Sequence, residues 1–393
     1  MKKNKLPFQI WILTLAAFAI GTAEFIIAGV LKDVAAAFSI TEGSAGNFIG
    51  YYALSIVIGG PILTLWLSKY NKKMVLIGLM TIFIIGNLIC AFAPTYHMML
   101  LGRVIAGLTQ GPFYGIGAVI ATELVTKEQS GRAIGQMFAG LTLANVLGVP
   151  GGTFIAQNFH WDKTFLVVSF LGLITMISII FFIKDLKEND EQKSIISQLS
   201  AFKNPKLIGS LLTTVLVWTG FMSIYGYLEP LSVDAAGISE NLLTPLLILV
   251  GFGLLVGNHF GGKSSDKNLD KTLIFGAAFM ILSMIVLGFV DTNYYLFCIF
   301  SFIFGIAAFF NVPSLQMNVM RYGAEAPELA GTANISAFNI ANFLGATIGG
   351  HILDSSSLSI ASIPFYGAII PIIGLIFTFK VLKTNNNNSQ LIH

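Results

Sequence analysis

Apolar runs of about 20 residues, parted by short polar breaks, repeat along the whole chain. Barrel strands would instead show period-two segments of about 10 residues. The pattern predicts helices near residues 8–31, 44–68, 74–93, 98–124, 132–157, 164–183, 207–229, 243–262, 272–290, 294–320, 330–354 and 363–382. The expected fold class is an all-α membrane protein with twelve transmembrane helices in two pseudo-symmetric six-helix bundles. One longer polar stretch, Lys184–Lys206, separates the two sets of six. It sets the expected organisation as a bundle over 1–183, a linker over 184–206, and a second bundle over 207–393 ending in a short polar tail. Within the linker, Lys184–Lys193 is charged, and Ser194–Phe202 reads either as a short amphipathic helix on the membrane or as a plain tether.

Composition sharpens this. The chain is 55% hydrophobic and only 10% charged, where soluble domains carry about 25% charged residues. Of 22 Lys and Arg, 19 fall on the side of the N-terminus, against Lys32 and Lys163 on the other side and Arg103 inside a span. The positive-inside bias then places both termini in the cytoplasm. A net charge of +3 spread over short loops gives no basis for nucleic-acid binding. Cys90 and Cys298 lie in apolar segments and read as two buried thiols. Lys2, Lys3 and Lys5 before an apolar run with Ala17-Phe18-Ala19 imitate a signal peptide, but the run continues to Leu31, beyond the usual 7–15-residue core. The expectation is that it is kept as the first span.

The two halves repeat at an offset near 198. Ala144-Asn145-Val146-Leu147-Gly148 recurs as Ala341-Asn342-Phe343-Leu344-Gly345, Gly107 matches Gly305, and Gly131-x-Ala133 matches Gly331-x-Ala333. Parallel repeats of this kind imply transport, with a substrate site near the midplane and halves that rock around it.

Two charges stand alone at membrane depth, Glu24 in the first span and Arg103 in the fourth. Counted from the span ends at about 1.5 Å per residue, both fall in the outer third of the bilayer. Intramembrane charges are costly and read as functional candidates. Desolvation favours a neutral carboxyl and a nearby guanidinium favours the carboxylate, so opening and closing a site between them would switch protonation. The alternative is a static buried pair bracing the two helices.

With these features the chain resembles the major facilitator superfamily over essentially its whole length. The family's loop motif between helices 2 and 3, repeated between helices 8 and 9, is recognisable as Gly262, Asp266, Lys267 and Lys271. The first copy is eroded to Thr64, Ser68, Lys69, Asn71, Lys72 and Lys73, without its acid. The resemblance implies a gating latch at Asp266 and Lys267, with the acid meeting a helix N-terminus. Arg103, Gly107 and Gly111 resemble a second family motif. Gly148-Val149-Pro150-Gly151-Gly152 is similar to the antiporter motif, with the proline displaced by one position, and implies a conformational bend at Gly148, Pro150 and Gly152. Gly21-Thr22-Ala23-Glu24-Phe25 looks like the signature of bacterial sugar-efflux and arabinose-efflux-permease-like carriers, within the twelve-helix drug:proton antiporter group. Trp161-Asp162-Lys163-Thr164-Phe165 fits a further pattern of that branch, with Asp162 where it carries Arg.

The resemblance implies a cavity lined by the first, second, fourth and fifth helices of each half. Mid-depth candidates for substrate contact are Tyr51, Tyr52, Gln110, Tyr114, Asn145, Trp218, Phe221, Tyr225, Asn311, Phe338, Asn339 and Asn342. Such aromatic walls with few polar anchors suit a moderately apolar or amphipathic small molecule. The expected function is proton-coupled efflux of a drug, sugar or metabolite by alternating access, in the inner membrane of a bacterium. The partners are substrate, protons and lipid, the chain acts as a monomer, and no cofactor or metal is involved beyond the proton gradient. An importer or facilitator of a nucleoside, sugar or amino acid is the alternative transporter. A ligand-sensing receptor would call for a sizeable soluble domain, and an enzyme for paired acids or a nucleophile–base set in the apolar segments.

Overall fold

The computed structural model describes residues 6–67, 70–126, 129–184, 200–290, 293–324 and 327–390. Ser68 and Lys69 of the eroded loop motif, most of the linker and the first three lysines lie outside these residues. The described residues form helices α1 (Phe8–Phe25), α2 (Asn47–Leu67), α3 (Lys72–Ala91), α4 in two segments (Tyr96–Gly107 and Gln110–Glu123), α5 in two segments (Ser130–Leu143 and Val149–Asn158), α6 (Trp161–Phe182), α7 (Pro205–Tyr225), α8 (Leu243–Lys267), α9 (Leu269–Phe289), α10 (Tyr294–Tyr322), α11 (Pro327–Leu353) and α12 (Ile363–Gln390). No strand occurs among them. Eleven of these helices are long and apolar enough to cross a membrane. The twelfth expected span is α11, a continuous helix of 27 residues made more polar by Asn334, Asn339, Asn342 and His351.

Three helices depart from regular geometry, two of them beside a proline. The first span does not run straight to Leu31: α1 ends at Phe25, a 3-10 turn covers Ile26–Gly29, and a short helix, Leu31–Phe38, follows. α4 is interrupted at Leu108 and Thr109, because Pro112 has no N–H for the Leu108 carbonyl. α5 carries a π-helical turn over Ala144–Gly148, in which the Val149 N–H reaches back to the Ala144 carbonyl. Pro150 cannot serve Val146, and the ladder shifts by one residue to compensate.

The chain divides into two compact units. Of the described residues, one holds those up to Val34 together with those from Tyr51 to 184; the other holds Ala35–Gly50 and those from Ser200 onward. In the first unit α1 is the central helix, 83% buried over its most apolar stretch against 33% for α6, whose Phe170, Phe181 and Phe182 are exposed. In the second unit the segment from Ala35 to Gly50 is held by Asp354, just past α11. Its Oδ1 accepts from the Gly43 N–H (3.1 Å) and its Oδ2 from the Thr41 hydroxyl (2.8 Å).

The repeat is visible in the internal packing of each unit. A Cβ on Gly107 of α4 would lie 2.7 Å from the Tyr52 carbonyl of α2, and one on Gly305 of α10 would lie 2.7 Å from the Val250 carbonyl of α8. Gly148 of α5 presses on Thr22 of α1, and Gly345 of α11 presses on Thr219 of α7. Gly107, Gly305 and Gly345 each meet the backbone of the neighbouring helix and Gly148 meets the Thr22 side chain, close approaches of the kind small residues allow in membrane bundles. The helix ends repeat too, with a twist of sign. Lys72, at the start of α3, pairs with Glu123, the last residue of α4. In the equivalent places Asp270, in the first turn of α9, pairs with Arg321, in the last turn of α10, at 2.7 Å. The second pair lies with the helix dipoles and the first lies against them.

Two outcomes follow. Gly107→Val and Gly305→Val are each expected to cost about 1–3 kcal/mol through overpacking, seen as a lowered Tm in detergent. Gly78→Ala, with open space around its Cβ position, should leave the Tm unchanged or raise it. Exchanging charges within a pair keeps the pair but reverses its sense against the dipoles. Lys72→Glu/Glu123→Lys should therefore raise the Tm and Asp270→Arg/Arg321→Asp should lower it, each by the equivalent of about 1–2 kcal/mol. Shifts of the same sign in both would remove the dipole argument.

Candidate functional site

The first unit brings the two intramembrane charges together. Arg103 on α4 is fully buried, and its guanidinium donates to the Ala23 carbonyl and, at 3.1 Å, to the Glu24 carbonyl. These are the carbonyls at which α1 stops being α-helical, so the cation terminates the helix where its dipole favours a positive charge. Arg103 thus meets Glu24 through the main-chain carbonyl, a contact that no side-chain pattern signals.

The Glu24 carboxylate, 6% exposed, accepts from the Gln110 side-chain amide: Nε2 to Oε2 is 2.7 Å. The other end of that amide, Oε1, accepts from the Tyr52 hydroxyl of α2 at 3.1 Å. The Tyr52 ring lies under the guanidinium, with Arg103 Cζ 4.1 Å from its centroid, a cation–π contact strengthened by desolvation. Glu24, Gln110, Tyr52 and Arg103 therefore form a closed ring of contacts across α1, α2 and α4. Tyr114 sits beside it, its hydroxyl donating to the Ala17 carbonyl at 3.4 Å and its ring stacked on Phe138. Tyr51, the neighbour of Tyr52, is 41% exposed and outside the ring of contacts.

The second unit holds an aromatic cluster. Trp218 and Phe221 of α7 have ring centroids 4.5 Å apart, Phe338 of α11 stands edge-on to Trp218 at 5.1 Å, and Tyr225 stacks on Phe221 at 4.9 Å. Phe304 and Phe309 of α10 complete it. Neither was singled out from sequence, where they are two phenylalanines among 33. The Trp218 indole N–H donates to the Asn342 Oδ1 at 2.9 Å, so the one polar handle of the tryptophan is satisfied within the wall.

The asparagines separate. Asn145, within the π turn, donates to the Leu141 carbonyl and its buried Oδ1 has no hydrogen-bond partner among the described residues. Asn342 lies in a regular helix and accepts from Trp218. Asn339 is buried and donates to its own helix at Ile335. Asn311 braces α10 to α9 by donating to the Gly276 carbonyl at 3.0 Å and does not join the aromatic cluster. Asp266 and Lys267 are exposed at the end of α8, and the start of α9 is capped by Asn268, which accepts from the Lys271 N–H. Gly148, Pro150 and Gly152 lie at the π turn and just beyond it, with Gly148 against Thr22 and Gly152 against Ile26 on either side of Glu24. Cys90 is buried, whereas Cys298 is half-buried beside an apolar groove of about 340 Å³ that includes Leu246, Tyr294 and Ile299 and none of the expected site residues.

Comparison with known proteins agrees with this architecture. The family model described as the Major Facilitator Superfamily matches residues 13–350. The inner membrane transport protein YdhP of Escherichia coli (strain K12) is 35% identical over 375 residues, covering 95% of this chain and 96% of that protein. The MFS-type transporter YtbD of Bacillus subtilis (strain 168) is 34% identical, covering 91% of each. Among solved structures, the D-xylose–proton symporter superposes with a TM-score of 0.76 at 15% identity, covering 95% of this chain and 97% of the other. A bacterial homologue of the lysosomal transporter Spinster superposes at 0.74, covering 98% of both. Twelve helices in two units with matched internal packing, a family match over most of the length and relatives above 30% identity give one conclusion: this chain is a membrane transporter of the Major Facilitator Superfamily.

Proposed function

We propose that this transporter is a proton-coupled exporter of small organic molecules, with Glu24 as the proton carrier. The observation that carries the reading is the placement of Glu24: a buried carboxylate on the most buried helix, held by the amide of Gln110 beside the guanidinium of Arg103. A membrane-embedded acid with a dedicated cation and a dedicated hydrogen-bond donor is the equipment that proton exchange requires. Export follows from the resemblance of the α5 segment around Gly148 and Pro150 to the antiporter motif, and the π turn there abuts α1 two residues before Glu24. Within the second unit the aromatic cluster around Trp218 and Phe221 supplies apolar surface, and within the first the Oδ1 of Asn145 is a buried acceptor with no hydrogen-bond partner among the described residues. The protein acts in the inner membrane, with both termini in the cytoplasm.

The test is transport of a compound library by reconstituted vesicles under an imposed proton gradient. Glu24→Gln is expected to abolish gradient-driven accumulation while leaving substrate binding measurable, because the amide keeps the shape but exchanges no proton. Glu229→Gln is the control, since Glu229 is also buried but lies past the end of α7. Its loss should spare coupling. Concentrative transport by Glu24→Gln would move the coupling site elsewhere, and accumulation in the opposite sense would favour the importer.

Orientation has its own check. In a Cys298→Ser background, a cysteine at Ser239, in the exposed loop between α7 and α8, should label from outside intact cells. A cysteine at Glu188 should label only after permeabilisation. The reverse result would invert the topology.

A further inference from the structure

The hydrogen bonds around Glu24 have a direction. A phenol donates, a side-chain amide accepts at one end and donates at the other, and a carboxylate only accepts. Tyr52 Oη donates to Gln110 Oε1, and Gln110 Nε2 donates to Glu24 Oε2. This order holds only while Oε2 carries no proton. A proton placed on Oε2 turns it into a donor facing the donor Nε2. The contact is recovered if the Gln110 amide rotates by half a turn, so that Oε1 accepts from the carboxyl and Nε2 faces Tyr52. The Tyr52 hydroxyl then receives a bond and must find a new acceptor for its own hydrogen. All three side chains are buried, at 6%, 2% and 1% exposure for Glu24, Gln110 and Tyr52, so no bulk water absorbs the change. An unsatisfied donor in such a place is expensive.

From this geometry we propose that Gln110 is a positioning residue that passes the protonation state of Glu24 on α1 to Tyr52 on α2, through the orientation of its amide. The inference rests on the reading of Glu24 as the proton carrier and reassigns Gln110, whose two amide ends are both engaged within the protein, from substrate contact to coupling. Tyr52 is a receiver with consequences. Its ring supports the guanidinium of Arg103, which in turn holds the last carbonyls of α1, and its own carbonyl is the surface against which Gly107 of α4 packs. A change in the bonding of this tyrosine therefore bears on the seam between α2 and α4 as well as on the charge pair.

The experiment needs no identified substrate. Purified protein in liposomes is titrated with pH by infrared difference spectroscopy, and the carboxyl band of Glu24 is assigned by its absence in Glu24→Gln. The wild type should show a tyrosine signal with the same midpoint as that band, absent from Tyr52→Phe. Gln110→Met removes the donor to the carboxylate and should move the carboxyl midpoint to higher pH by about one to two units, as loss of a hydrogen bond to a charged group implies. It should also abolish the coupled tyrosine signal. Tyr52→Phe, which keeps the ring over Arg103, should shift the midpoint in the same direction by less. The double variant should shift no further than Gln110→Met alone, since the residues act in series. An unchanged midpoint in Gln110→Met with the tyrosine signal retained would overturn the proposal. If Gln110→Met does not fold, an unchanged carboxyl midpoint in Tyr52→Phe overturns it instead. A titration with no band that Glu24→Gln removes would sink the proton-carrier reading itself, which is a separate failure.

Discussion

Everything in the first unit is arranged around the burial of one guanidinium. Arg103 has no exposure to solvent, and an ion taken from water into a protein interior costs several kcal/mol unless its donors are met. Its partners are supplied by three sources: the carbonyls of Ala23 and Glu24, the face of the Tyr52 ring, and the nearby charge of Glu24. Each source fixes something else. The carbonyls fix where α1 ends. The ring fixes the register of α2 on α4, already constrained by the absence of a side chain at Gly107. The carboxylate engages Gln110 just beyond the interruption in α4 that Pro112 makes necessary. Helix ends, helix contacts and site chemistry are thus one problem with one solution.

The second unit uses the same packing frame for different chemistry. Matched glycines put Tyr52 in correspondence with Val250, Arg103 with Ser301, Gln110 with Ala308 and Glu24 with Phe221. The polar ring of one half is replaced by an uncharged set in the other, apolar except for Ser301, and Phe221 is the hub of the aromatic cluster. Backbone contacts are shared between the repeats because they decide whether the helices pack at all. The side chains around those backbone contacts differ between the halves, polar and charged in one and largely apolar in the other.

How much was legible in the sequence follows the same division. The spans were readable from hydropathy, because about 20 apolar residues cross a bilayer however they pack. The matching depth of Glu24 and Arg103 was readable from the sequence, and the two residues do lie side by side. The capping of α1 by Arg103 was not, because it runs through main-chain carbonyls that every sequence possesses. Tyr51 and Tyr52 are indistinguishable as adjacent letters, yet only the second joins the contacts around Arg103, since neighbours on a helix point about 100° apart. The donation of Asn311 to the Gly276 carbonyl of α9 could not be read either, because it depends on which helix stands opposite. The pairs Lys72–Glu123 and Asp270–Arg321 did leave a trace, opposite charges recurring at the offset already found for the glycines. The association of Ala35–Gly50 with the second unit left none, being decided by the reach of Asp354.

The correspondence of Glu24 with Phe221 bears on stoichiometry and on the steepness of gradient the carrier can sustain. The polar ring contains a single carboxylate, and its counterpart positions in the other repeat, Phe221, Val250, Ser301 and Ala308, hold no ionisable group. On the proposed reading each turnover moves one proton through this machinery, so exchange against a neutral molecule is electrogenic by one charge. One elementary charge crossing a potential of about 100 mV releases about 2.3 kcal/mol. That energy sustains a concentration ratio of about 50-fold for an uncharged cargo, before any difference in pH is added. On that same reading, an exporter coupled through one carboxylate is suited to keeping a compound low and ill suited to pumping it to exhaustion.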